Sequence, residues 1–131
     1  MIVDSSALLA IVLDEPSSAR CLQTLLESPI NLMSAASFLE AAIVVDRLPD
    51  PRDSARFDEL TSDFDISIEP MTAHQATIAR EAYRRFGKGS GHPAKLNFGD
   101  CFAYALAKEF DEPLLFVGQD FIHKDIRRVL D

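Results

Sequence analysis

The stretch "LNFGDCFAYALAKEF" from Leu96 to Phe110, followed by "PLLFV" from Pro113 to Val117, sets the reading of the chain. The first segment carries apolar residues at helical spacing and the second is a short apolar run of strand length, so a helix hands the chain directly to a strand. The helix is apolar enough to bury nearly all round. It nevertheless places Asp100 in its first turn, between Gly99 and Cys101.

Outward from there the same alternation recurs. "MIV" at the start predicts a short strand, Ser6 caps "ALLAIVL", and "EPSSARCLQTLLES" continues as helix with Leu22, Leu25 and Leu26 on one face. Ile30 to Met33 predicts a second strand, and Ser34 then caps "AASFLEAAIVVDRL", a helix apolar on most faces. Asp50 before Pro51 opens a polar helix toward Phe64. "ISIE" predicts a third strand, and Thr72 with Gln75 makes a capping box for a helix ending near Phe86. "GKGSGHPAK" reads as a loop, and the tail "FIHKDIRRVL" offers a short helix and a fifth strand. The pattern predicts an α/β fold, a central parallel sheet of four to five short strands flanked by helices on both faces, in one domain spanning residues 1–131. In such sheets active residues collect beyond the carboxyl ends of the strands.

Composition narrows the class. A hydrophobic fraction of 47% and a charged fraction of 26% are those of a globular protein, without repeats or low-complexity tracts. No apolar run reaches membrane-spanning length, and Asp4 and Asp14 with no basic lead-in argue against a signal peptide, so a cytoplasmic protein is expected. Cys21 and Cys101 are far apart in sequence in apolar surroundings and read as reduced core thiols. The net charge of −8 argues against a nucleic-acid partner, unless the negative charge is concentrated where a cation binds.

Four carboxylates raise that possibility. Asp4 follows the first strand and Asp120 follows the fourth after Gly118 and Gln119, so both should project at the carboxyl edge of the sheet. Glu40 and Asp100 lie on helices whose neighbours are apolar, where an unpaired carboxylate costs several kcal/mol. Each has a structural explanation of its own: Asp4 as a helix cap, Asp100 opposite a helix dipole, Asp120 in a turn, Glu40 paired with a distant Arg. As a set, lacking an equally buried Lys or Arg nearby in sequence, they match the oxygen donors that a hard divalent cation takes.

The segments "MIVDSSALLAI", "SAASFLEA", "LNFGDCFAYALA" and "LLFVGQDF" together resemble the PIN-domain ribonucleases, specifically the VapC toxins of toxin–antitoxin pairs. The resemblance spans nearly the whole chain in order. It implies a PIN-like fold and an acidic quartet at Asp4, Glu40, Asp100 and Asp120, with Ser6 supporting the first acid. Gln119 departs from the acid or Asn frequent at that place. The implied activity is Mg²⁺- or Mn²⁺-dependent hydrolysis of RNA that leaves a 5′-phosphate and a 3′-hydroxyl. Asp4 and Asp100 would be the principal ligands, Glu40 a direct or water-mediated one, and Asp120 would serve a second metal or orient the nucleophile. The resemblance also implies a homodimer neutralised by a VapB antitoxin; a noncatalytic PIN-fold interaction module is the alternative.

The charge objection weakens locally. Arg80, Arg84, Arg85, Lys88 and Lys95 oppose only Glu81 in the segment leading to Asp100, and Arg85, Lys88 and Lys95 are candidate contacts to the RNA backbone. Lys124, Arg127 and Arg128 form a second basic group. "GKGS" from Gly87 to Ser90 lacks the earlier glycine and the preceding strand of a phosphate-binding loop. A haloacid-dehalogenase-type nucleophile at Asp4 would need a second Asp where Ser6 stands. His74, His92 and His123 are scattered without metal-ligand spacing.

Overall fold

The computed structural model of the chain describes residues 1–93, 95–118 and 125–130. Among these, strands β1 (Ile2–Val3), β2 (Leu32–Ser34), β3 (Ser67–Glu69) and β4 (Leu114–Leu115) alternate with helices α1 (Ser5–Val12), α2 (Ser18–Glu27), α3 (Ala35–Asp46), α4 (Pro51–Asp63), α5 (Ala73–Phe86) and α6 (Asp100–Phe110). The strands form one parallel sheet in the order β3-β2-β1-β4. The chain therefore builds outward from β1 on one side and returns to its other side, which makes the gap beyond β1 and β4 a topological switch point.

Side chains alternate across the sheet with the two-residue strand period. Ile2 and Leu114 point into a core shared with α5 and α6. Val3 and Leu115 point into the opposite core, shared with α1 to α4. Helices thus cover both faces, as the alternation predicts. Both cysteines are buried.

Several local expectations hold for their stated reasons. Ser34 caps α3 by accepting from the Ala36 N–H, Asp50 caps α4 ahead of Pro51, and Thr72 accepts from the Gln75 N–H at the start of α5. Others are corrected. Helix α1 starts before Ser6, so Asp4 is its cap. The first helical run is two helices, because Asp14 adopts φ 53° and Pro16 cannot continue the turn. The tail returns beside β4: Leu114 N–H donates to Arg127 O at 2.9 Å and Val129 N–H to Leu114 O at 3.1 Å. The expected fifth strand is a single parallel bridge between Leu114 and Arg128. Residues 125–130 are not helical, and the rest of the expected tail helix lies outside the described residues.

Candidate functional site

Asp4 stands at the carboxyl end of β1, where its extended backbone (φ −81°, ψ 155°) caps α1. Its N–H continues the sheet by donating to Leu115 O at 3.0 Å. The carboxylate is buried at 4% exposure. Its Oδ2 accepts from Ser6 N–H at 3.1 Å and from Ser6 Oγ at 2.6 Å. Ser6 Oγ in turn accepts the Val117 N–H at 2.9 Å. One hydroxyl therefore fastens the first acid to the chain leaving β4, across the switch point. Charge-assisted bonds of this kind and the positive end of α1 offset the burial of the charge.

Asp100 opens α6 and is buried at 8% exposure. Its Oδ2 accepts the Asn97 N–H at 3.0 Å, while its own N–H donates to Asn97 Oδ1 at 3.1 Å. This reciprocal pair has the bonding pattern of a capping box, set in the turn that leads into α6, whose N-cap residue Gly99 has no side chain to bond. It fixes the carboxylate at the start of the helix.

Glu40 joins the two. Its Oε1 accepts from Ser5 Oγ at 2.8 Å, so it touches the residue after Asp4. On the other side it presses on the Gly99 backbone, the residue before Asp100, so closely that a Cβ there would overlap Glu40 Oε2 and lie 2.8 Å from Cδ. Glu40 thus touches the residue after Asp4 and the residue before Asp100. Burial of Glu40, however, is overturned: α3 packs inward through Ser37, Ala41 and Val45, and leaves Glu40 exposed beside Leu39, Ile43 and Val44. The apolar positions on both sides of α3 hid which side was the core.

Asp120, the fourth acid, lies outside the described residues with Gln119, His123 and Lys124. The chain beyond it is anchored, because Tyr104 OH donates to Asp125 Oδ1 at 2.7 Å and Lys108 Nζ to Asp125 Oδ2 at 2.9 Å. Burial, and then the bond to Asp125, push the Tyr104 phenol up. Burial opposes ionisation of Asp125, but the Tyr104 and Lys108 bonds hold its carboxyl below the usual range. Asp125 is therefore ionised at neutral pH.

Among the described residues no three His, Cys, Asp or Glu side chains stand together as a ready metal cage. The donors still fit a hard cation. Mg²⁺ needs only one or two carboxylates, with water and phosphate oxygens completing its shell. The candidate donors are carboxylate oxygens, and the nearby Cys101 Sγ is turned to Asn97 O at 3.5 Å.

Arg85, Lys88 and Lys95 are exposed. Arg85 lies in the last turn of α5, and the loop carrying Lys88 and Lys95 is closed at its neck by Lys88 N–H donating to Leu96 O and Leu96 N–H to Phe86 O, each at 2.7 Å. His92 packs edge-on against Phe86 at 5.0 Å, and the Arg85 guanidinium lies 4.8 Å from the same ring. The neck leads directly into Asn97 and the capping box. Ser5, Asn97 and Gly99 were missed as site residues; the Asn-x-x-Asp spacing of Asn97 and Asp100 was the available signal.

Residues 1–127 match the PIN domain family. Ribonuclease VapC28 of Mycobacterium tuberculosis is 50% identical over 131 residues, covering 100% of this chain and 98% of that protein. The crystal structure of Mycobacterium tuberculosis VapC20, a Sarcin-Ricin loop cleaving toxin, aligns with a TM-score of 0.78 at 16% identity, covering 98% of this chain and 97% of that one. VapBC2 from Rickettsia felis, bound to a DNA fragment from their promoter, aligns with a TM-score of 0.76 at 13% identity over 97% of this chain and 94% of that one. No helix among the described residues is long and apolar enough to cross a membrane.

Proposed function

Because the chain belongs to the VapC ribonucleases of the PIN-domain family, we propose that it is an endoribonuclease toxin whose Asp4, Glu40, Asp100 and Asp120 hold Mg²⁺ or Mn²⁺. One observation carries the assignment of the site: Glu40 is clamped between Ser5 and Gly99, the immediate neighbours of Asp4 and Asp100. A cation held there would supply a Lewis acid for the phosphodiester and an acidified water as nucleophile. The protein's own contribution is positional. The Ser6 relay and the Asn97 box set two carboxylates on rigid helix starts, so little reorganisation remains when substrate arrives.

Calorimetry with Mn²⁺ alone, followed by end-mapping of cleaved tRNA and rRNA hairpins, tests this reading. We expect saturable Mn²⁺ binding and metal-dependent products with 5′-phosphates. Absence of both would favour the noncatalytic interaction module.

The exposed basic loop is assigned to the RNA backbone. Neutralising Arg85, Lys88 and Lys95 together should weaken RNA binding regardless of sequence and reduce the slope of log affinity against log salt by about 2, since each contact to a single strand contributes about 0.7. Mn²⁺ affinity should be unaffected. A wild-type salt slope would move the RNA path to Arg127 and Arg128.

Two protein partners complete the proposal. The outward face of α3, where Leu39 is 57% exposed beside Ile43 and Val44, supports a second copy of this chain as its cover. Light scattering that reads a single-chain mass would remove the dimer. The carboxylate edge is assigned to a segment of a VapB-type antitoxin, supported by the fold shared with VapBC2. Co-purification without inhibition of cleavage would place that partner elsewhere.

A further inference from the structure

A groove of about 560 Å³ runs between α5 and α6, with Met71, Ala79 and Cys101 toward its floor and Tyr83, Phe98 and Phe102 among its walls. Arg80 and Arg84 also line it and are exposed; Arg84 has Glu81 at 3.7 Å, a solvent-exposed pair that holds it only weakly. Phe98 is 74% exposed, and its ring meets Phe102 edge-on at 4.9 Å. A lone exposed ring would be unexceptional. This one rises from a backbone that the Asn97–Asp100 bonds hold in place, so its attachment point and the Asp100 carboxylate keep a fixed relation.

We propose that this groove takes an unpaired nucleobase of the RNA substrate, stacked on Phe98 beside Tyr83 and Phe102, with Arg80 and Arg84 on the adjoining phosphates. The inference rests on the ribonuclease reading and adds to it a base-binding subsite. Flat aromatic walls flanked by guanidinium groups complement a ligand that is planar and apolar in one part and anionic in the next. Single-stranded RNA is recognised by this combination. An apolar peptide would find the same walls, but nothing in it would answer the two cations. The subsite also differs from the basic loop, where the Phe86 ring is buried and already packed by His92 and Arg85. It therefore gives the enzyme a preference for splayed bases near the cleaved bond rather than for paired stems.

The test uses the full chain and two probes: an unstructured oligoribonucleotide of mixed sequence, and an oligomer of equal length with the same backbone made wholly of abasic sites. Wild type should bind the first about tenfold more tightly than the second, as expected for one stacked base. Phe98→Ala should abolish that preference, leave the salt slope and melting temperature unchanged, and leave affinity for the abasic probe as it was. Phe98→Trp should retain the preference. Equal losses on both probes, or a preference that survives Phe98→Ala, would overturn the proposal. If Phe98→Ala instead weakened only the cognate antitoxin, the groove would be a protein site and the proposal wrong. Failure of the ribonuclease reading is separable, because wild type would then neither bind Mn²⁺ nor cleave RNA.

Discussion

Asp100→Asn is expected to slow Mg²⁺-dependent RNA cleavage on the order of a thousandfold while moving the metal-free melting temperature by only a few degrees. The isosteric amide still offers an oxygen to the Asn97 N–H, so the capping box survives. What is lost is one formal charge at the start of α6, worth about 0.3–1 kcal/mol to the helix. Asp4→Asn should behave alike, because Asn is as good a cap as Asp and keeps the Ser6 bonds that matter to α1. Initial rates, thermal melts and Mn²⁺ titrations on both variants check the expectation. If both carboxylates were only helix caps, cleavage would persist in both variants, or would fall only as far as stability fell. A thousandfold loss with a standing fold and weakened Mn²⁺ binding would leave the metal-ligand role as the remaining account.

These two acids were legible for a local reason. Asp4 directly follows an apolar strand, and Asp100 interrupts an otherwise apolar helix start, so each breaks a pattern that short windows of sequence reveal. The alternation that predicted both covered faces of the sheet is equally local. Strand order is not: the placement of β4 beside β1 depends on which faces of α5 and α6 bury, and that is decided by tertiary packing. Glu40 was found for a reason the structure does not support. Its neighbours Leu39, Ile43 and Val44 looked like core, yet they form the outer face of α3, and Glu40 is exposed among them. Its connection to Asp4 and Asp100 runs through Ser5 and Gly99, contacts across 35 residues or more that no spacing rule could supply.

Gly99 carries the second large prediction. A glycine before a helix suggests a backbone need for left-handed geometry, but Gly99 sits at φ −62°, ψ −35°, where any residue is at ease. Alanine there should even gain about 0.5–1 kcal/mol in chain entropy. The reason for glycine is space, since a Cβ would overlap Glu40 Oε2. Gly99→Ala must then displace the Glu40 carboxylate, disturbing the Ser5 bond, or push α6 and its Asp100 away. A shift of about 1 Å at a reacting centre can cost about a hundredfold, which is the loss of cleavage expected. Overpacking should outweigh the entropic gain and lower stability by about 1 kcal/mol. Adding Glu40→Ala removes the overlapping atoms, so the double variant should melt higher than Gly99→Ala alone without recovering cleavage. That split identifies Glu40 as the atom set Gly99 makes room for. Full activity in Gly99→Ala would mean that the carboxylate need not sit between Ser5 and Gly99, and Glu40 would lose its place in the site.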